Sequence, residues 1–304
     1  MVNATIVLIA ATLRVFGSGG GESQLMPTQS HVADVSAFGN LSSERWKLHV
    51  KLRADATTGL DAGEAYAQLH VAKWLDVTAG RVIEKWGTGY GWNPTSFVGP
   101  AKDPTDPNDR RSAYRGVDMI RADVFVRDTN VSLYALENGQ YAARVYRLIR
   151  GTDVSIVWRS SGAAAASAAD FSRDSGARSG RRSTAGIALA RVFGNALELH
   201  AEATQHRALA GGQYTFTNDI NVVFELYRDQ KTYALARIYR PFVNAKIDAE
   251  LIALTSIRDR STILRASITR KLRPNISAYL IDTEFVGREK PVARLTSVGL
   301  RYYF

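Results

Sequence analysis

The chain has 304 residues, no cysteine, three methionines, 24 glycines, eight prolines and a formal net charge of +10. The lack of cysteine excludes a disulfide scaffold and thiolate chemistry. No apolar run reaches the roughly 18–20 residues of a membrane-spanning helix. A barrel strand needs only about 9–11 residues, every second one free to be polar, so a membrane location stays open. Lys and Arg are spread along the whole chain instead of forming a block, which argues against a nucleic-acid partner and leaves acidic membrane surfaces and anionic solutes.

Residues 1–43 read as a peripheral segment. The run Thr5–Leu13 has the apolar character of an export-signal core. It lacks a basic start, and no small-x-small cleavage site follows before Gly17. A remnant signal, an extra strand and a plug all stay open for this segment.

Regular alternation begins at Glu44. Trp46, Leu48, Val50 and Leu52 alternate with Lys47, His49, Lys51 and Arg53; Ala65, Ala67, Leu69 and Val71 alternate with Glu64, Tyr66, Gln68 and His70. After a tight turn near Trp74–Asp76 a third strand is expected to run to about Trp86. The same period of two then predicts strands near 114–127, 129–137, 140–150, 152–160, 183–193, 195–206, 208–217, 219–228, 231–240, 244–257, 261–272, 275–286 and 291–304. The weakest of these is 208–217, which contains Gly211-Gly212. The tally for 44–304 is about 16 strands, within a range of about 14–18, where porin barrels leave an aqueous channel.

Strand parity supports this tally. If the last strand ends at the short-turn, periplasmic side, then Arg127-Asp128-Thr129, Arg150-Gly151-Thr152, Gly194-Asn195, Arg240-Pro241-Phe242 and Arg273-Pro274-Asn275 become short periplasmic turns. The two long connections, about 87–113 and 161–182, both fall on the outer side. The second, with Arg173, Arg178, Arg181 and Arg182 near Asp170 and Asp174, reads as a solvated loop or as a contact for lipid phosphates.

The end of the chain, S-V-G-L-R-Y-Y-F, places Val298, Leu300, Tyr302 and Phe304 on one face and Ser297, Gly299, Arg301 and Tyr303 on the other. This apolar stripe closing on an aromatic resembles bacterial outer-membrane β-barrel proteins, where the final strand is the signal read by the barrel-assembly machinery. Aromatics at Trp46, Tyr141, Trp158, Tyr302 and Phe304 fit membrane interfaces. A soluble sandwich would also alternate, but some ten strands here carry a charged face, and helical periodicity is nearly absent.

The stretch from Gly80 to Ala122 is the most distinctive. Gly80-Arg81 leads into W-G-T-G-Y-G-W-N-P at 86–94, then K-D-P-T-D-P at 102–107, then Gly116-Val117-Asp118. This arrangement resembles porin-like outer-membrane proteins, loosely akin to alginate-export-type barrels, although that subgroup carries more strands. The resemblance implies a pore-forming barrel with a loop folded near the pore mouth. By composition alone, glycines at 87, 89 and 91 permit close backbone approach, and Pro94, Pro100, Pro104 and Pro107 stiffen the path. The loop is expected to fold over or into the lumen and narrow it, with Trp86, Tyr90, Trp92, Asn93, Lys102, Asp103 and Asp106 as constriction candidates; an outer cap without effect on conduction is the alternative. Asp103, Asp106 and Asp109 offer oxygen ligands for Ca²⁺, but such Asp-Pro series usually form Asx turns, so no metal is assigned. The G-x-G-x-G run lacks the following helix that a phosphate cradle needs.

The lumen-facing candidates are Lys47, His49, Lys51, Arg53, Arg121, Asp123, Arg144, Glu198, His200, Glu202, Glu225, Asp248, Glu250, Arg265 and Arg301. They suggest a basic wall opposite an acidic wall and a mild anion preference. Lipid-facing positions are Leu48, Val50, Leu69, Val71, Val222 and Phe224. Glu198, His200 and Glu202 share a strand face, yet no nucleophile–base constellation accompanies them, and neither enzyme activity nor a cofactor is expected. The sequence therefore predicts one all-β domain, residues 44–304: a transmembrane, antiparallel, up-and-down barrel of the bacterial outer membrane. Its expected function is passive diffusion of small hydrophilic, including anionic, solutes, with outer-membrane lipid, lipopolysaccharide and the assembly machinery as partners and the oligomeric state left open. The alternatives are a non-conducting structural or adhesion barrel and a barrel enzyme.

Overall fold

Alternation with a period of two gives strands whose two faces meet different surroundings, and the chain uses this from end to end. The computed structural model describes residues 9–15, 17–18, 31–42, 45–55, 59–99, 102, 104, 116–160, 183–243, 246–273, 276–287 and 293–302. Three strands precede the alternating region: β1 (Ile9–Val15), β2 (Gly17–Ser18) and β3 (His31–Ser42). Sixteen follow: β4 (Trp46–Asp55), β5 (Gly59–Ala72), β6 (Leu75–Val82), β7 (Val117–Val126), β8 (Thr129–Leu136), β9 (Tyr141–Ile149), β10 (Thr152–Arg159), β11 (Thr184–Phe193), β12 (Leu197–Thr204), β13 (Ala208–Thr215), β14 (Asn221–Arg228), β15 (Thr232–Val243), β16 (Ile247–Ser256), β17 (Ser261–Arg273), β18 (Ile276–Val286) and β19 (Ala293–Tyr302). No helix occurs among the described residues.

Each strand from β3 onward pairs antiparallel with the next, in an up-and-down order within one sheet. Within residues 1–43, set apart as peripheral in the sequence, the described strands β1, β2 and β3 contribute to the same sheet. β1 pairs with β3 from Ile9↔Ala37 to Val15↔His31, and β2 pairs with β19 through Ser297↔Ser18 and Val298↔Gly17. β19 is thus paired by β2 and β3 by β1, so the succession of pairings leads from β19 back to β3 through residues 9–15 and 17–18, a barrel arrangement that leaves few free edges.

The short turns carry the chemistry their geometry needs. Arg150 and Gly151 both have positive φ, 49° and 77°, which is the two-residue turn whose twist matches a hairpin. Two expectations about strand ends differ from the structure. The third strand of the alternating region stops at Val82 instead of continuing to Trp86, because beyond Val82 the chain leaves the wall and Trp86 becomes buried. Arg240-Pro241-Phe242 is not a turn. It lies inside β15, where the register shifts between Arg240 and Val243 and absorbs the N–H that Pro241 lacks. The weakest expected strand, with Gly211-Gly212, is present as β13, paired on both sides.

The outward face is apolar: Leu48, Val50, Leu69, Val71 and Phe224 are exposed, Phe224 at 51%. Val222 shares the outward parity of Phe224 and is half-buried. The opposite face carries Lys47, His49 and Lys51 on β4 and Glu225 on β14, and on β12 it carries His200 and Glu202. An apolar exterior around a polar interior is the reverse of a soluble fold and the arrangement of a membrane barrel.

Candidate functional site

The site is built where the chain between β6 and β7 folds back onto the inner wall. Residues 83–99 bring a run of backbone N–H groups against two inward carboxylates. Glu202 of β12, 2% exposed, accepts bonds from the N–H groups of Thr88 (2.5 Å), Gly89 (2.8 Å) and Thr95 (3.0 Å) and from the Thr95 hydroxyl (2.6 Å). Glu225 of β14, 0% exposed, accepts from Tyr90 N–H, from Gly91 N–H (2.8 Å) and pairs with His200 Nε2 (2.9 Å). A buried carboxylate is costly unless its lone pairs are filled, and successive N–H groups with charge-assisted bonds fill them.

The glycines make this approach possible. A Cβ on Gly87 would lie 2.7 Å from Glu202 Oε1, and one on Gly89 would lie 2.2 Å from both Leu209 Cδ2 and Trp92 O. Opposite them, Gly211 of β13 leaves room for the His200–Glu225 pair, since a Cβ there would stand 2.9 Å from His200 Nε2. The Gly-x-Gly-x-Gly run is therefore an anion cradle after all, but its anions are the protein's own carboxylates.

Aromatic contacts extend the attachment along the wall. Trp86 packs edge-on against Tyr134 of β8 at 5.1 Å, and Trp92 stacks on Tyr227 of β14 at 5.0 Å. Arg159 of β10 donates to the Phe97 carbonyl (2.9 Å). Arg237 of β15 lies 4.4 Å over the Tyr90 ring and donates to Glu250 of β16 (2.5 Å), which also accepts from the Tyr90 hydroxyl (3.3 Å). At the foot of the loop, Arg121 joins Glu84 and Asp123 (2.7 Å), and Ser132 donates to Asp123 (2.6 Å). Lys102 donates to the Gly89 carbonyl; burial of its ammonium pushes its pKa below the ordinary lysine range, against the pull of Glu225 and Glu202.

The sequence candidates divide accordingly. His200, Glu202, Glu225, Glu250, Trp86, Tyr90, Trp92 and Lys102 converge on one assembly, and Asn93 accepts a bond from Lys102 N–H (3.1 Å). The acids Glu202 and Glu225 face inward but are covered, so they hold the loop and do not line open water. Arg121 and Asp123 are joined at its foot. Elsewhere on the inner face are Lys47, Lys51, Arg144, Asp248 and Arg265, all half-buried; His49, 3.6 Å from Glu64; and Glu198, which accepts from Gln213 (2.8 Å). The side chains of Arg53, Leu300, Arg301 and Tyr302, and the residues Asp103, Asp106, Asp109 and Phe304, lie outside the described residues. Val298 points outward and is exposed. No group of three His, Asp or Glu that could hold a metal occurs among the described residues. Sequence reading passed over Thr95, Tyr227 and Arg237. Arg237 had a usable signal, its inward parity between Leu235 and Tyr239, whereas Thr95 had none.

No family model matches the chain, and no curated protein matches it. Solved structures do. The chain is similar to Wzi of Escherichia coli, described as an outer-membrane protein involved in group 1 capsule assembly and a carbohydrate-binding β-barrel, with a TM-score of 0.63 at 10% identity over 97% of this chain and 84% of that one. It is also similar to a mutant porin of Rhodopseudomonas blastica, with a TM-score of 0.56 at 13% identity over 98% of this chain and 100% of that one. These likenesses and the apolar exterior define the fold: an antiparallel, up-and-down membrane β-barrel, the architecture shared by Wzi and the porins.

Proposed function

We propose that the chain is a passive channel for small hydrophilic solutes, with the 83–99 segment narrowing the lumen. The observation that carries this reading is the attachment of the loop to Glu202 and Glu225, which holds it against the inner wall instead of above the mouth. With those acids engaged by the loop, Lys47 and Lys51 of β4 bias the field felt by a passing ion toward anions, most strongly at low salt where screening is weak. The apolar C-terminal stripe serves assembly through the barrel-assembly machinery, and lipid with lipopolysaccharide forms the surroundings.

Recording in planar bilayers under a salt gradient tests this. Discrete conductance with a reversal potential on the anion side is expected, and replacing Lys47, Lys51 and Arg53 by Glu should move that potential toward cations. A cation-preferring wild type, or a triple variant with unchanged selectivity, would contradict the anion assignment. The likeness to Wzi favours one second reading, a non-conducting carbohydrate-binding barrel, for which the same recording would show no channel.

A further inference from the structure

Part of the positive charge lies outside the lumen, in a repeated place. Strands β9, β11, β15 and β17 run toward the short-turn end, and each carries an exposed, outward arginine two or three residues before it finishes: Arg147, Arg191, Arg240 and Arg270. The local sequences repeat the theme, R-L-I-R-G, R-V-F-G-N, R-P-F-V-N and R-K-L-R-P-N. The apolar residue two positions on is outward and exposed in three of them, at Ile149, Phe193 and Leu272.

The register groups the four into two pairs. Arg147 lies opposite Val154 and Arg191 opposite Thr152, so the two flank β10. Arg240 lies opposite Ala249 and Arg270 opposite Ile247, so these flank β16 in the same diagonal manner. Members of a pair stand two strands apart, roughly 10 Å across the sheet. The outward positions of β9–β11 and β15–β17 carry no carboxylate. Among the described residues the four guanidiniums make no ion pair; Arg191 lies over the Phe193 ring at 5.0 Å. An unpaired arginine beside an exposed apolar side chain, at the edge of a lipid-facing band, lays its stem along the hydrocarbon and sends its fork to the headgroup level.

We propose that these two arginine pairs bind the phosphodiester groups of anionic phospholipids in the periplasmic leaflet. The short-turn end of a barrel faces the periplasm, and a planar five-donor guanidinium matches a phosphate oxygen pair. Paired forks can share one phosphate or hold one each. The periplasmic rim thus selects its lipid neighbours by charge, and this part of the +10 does not act on permeating ions.

The test uses the refolded full chain in micelles doped with phosphatidylglycerol or with phosphatidylcholine, counting retained lipid by native mass spectrometry. Wild type should retain phosphatidylglycerol preferentially. Replacing Arg147, Arg191, Arg240 and Arg270 by Gln should weaken that preference by about fivefold per arginine at low ionic strength. The four Arg→Lys exchanges should restore most of it, and they decide the matter if heat-dependent gel migration shows that the Gln variant has not folded. Arg228→Gln, an exposed outward arginine at the opposite end of β14, should change nothing. Undiminished retention in the quadruple Gln variant, or loss caused by Arg228→Gln, overturns the proposal. A parallel set of micelles doped with lipid A separates the leaflets: loss of lipid A by the quadruple Gln variant with phosphatidylglycerol retained would assign the arginines to outer-leaflet phosphates and overturn the proposal.

Discussion

The two walls of the lumen start from the same pattern and end differently. On β4 the inward face reads Lys47, His49, Lys51, and these side chains are half-buried among one another, Glu64 and Tyr66. On β12 and β14 the inward face reads His200, Glu202 and Glu225, and these are buried beneath a loop that supplies their hydrogen bonds. An inward charge on a barrel wall therefore belongs to the permeation path only if nothing of the chain lies over it. The acidic wall here holds the loop; on the proposed function the basic wall is the one that meets passing ions.

The largest effect should come from breaking the covered wall. Glu202→Ala with Glu225→Ala leaves the N–H groups of Thr88, Gly89, Tyr90, Gly91 and Thr95 without their acceptors and should lower unfolding stability by about 4–5 kcal/mol. Denaturant titration followed by tryptophan fluorescence would measure it, because Trp86 and Trp92 sit in the packed assembly. A loss under about 1 kcal/mol would mean that the loop is held by other contacts.

Next in size is a comparison of the two faces of β14. Phe224 points to lipid beside the inward Glu225, and Phe224→Arg should cost about 2–4 kcal/mol if it sits at the bilayer midplane. The same titration in lipid vesicles checks this; a neutral outcome would refute the inside–outside assignment of this strand.

A smaller effect sharpens the comparison without uncovering the acids. Arg237→Gln removes the guanidinium over Tyr90 and its bond to Glu250, and should cost about 1–2 kcal/mol. The expected channel phenotype is noisier current, because Tyr90 loses lateral support while Glu202 and Glu225 keep their bonds. Current noise equal to wild type would show that Arg237 steadies only its own wall.

The fold was legible because alternation is a local signal. Even β13 could be placed by its parity, and Leu48, Val50, Leu69, Val71 and Phe224 could be assigned outward from their neighbours alone. The failures were also local in origin. Pro241 reads as a turn because its missing N–H usually ends a strand, and only the pairing with β16 shows the register shift that accommodates it. The inward acids were visible, but their partners were not. Gly91 and Glu225 are 134 positions apart, and Thr95 and Glu202 are 107 apart. Three spaced glycines announce that a backbone must come close to something, and the sequence does not say to what.

The most direct test of the central claim is to replace Thr88–Asp109 by a short Gly-Ser linker and to record conductance and reversal potential together under a salt gradient. If the loop both narrows the lumen and covers the acidic wall, conductance should rise while selectivity moves toward cations, because Glu202 and Glu225 are then exposed to permeating ions. A folded deletion channel with the conductance and selectivity of the wild type would contradict that claim.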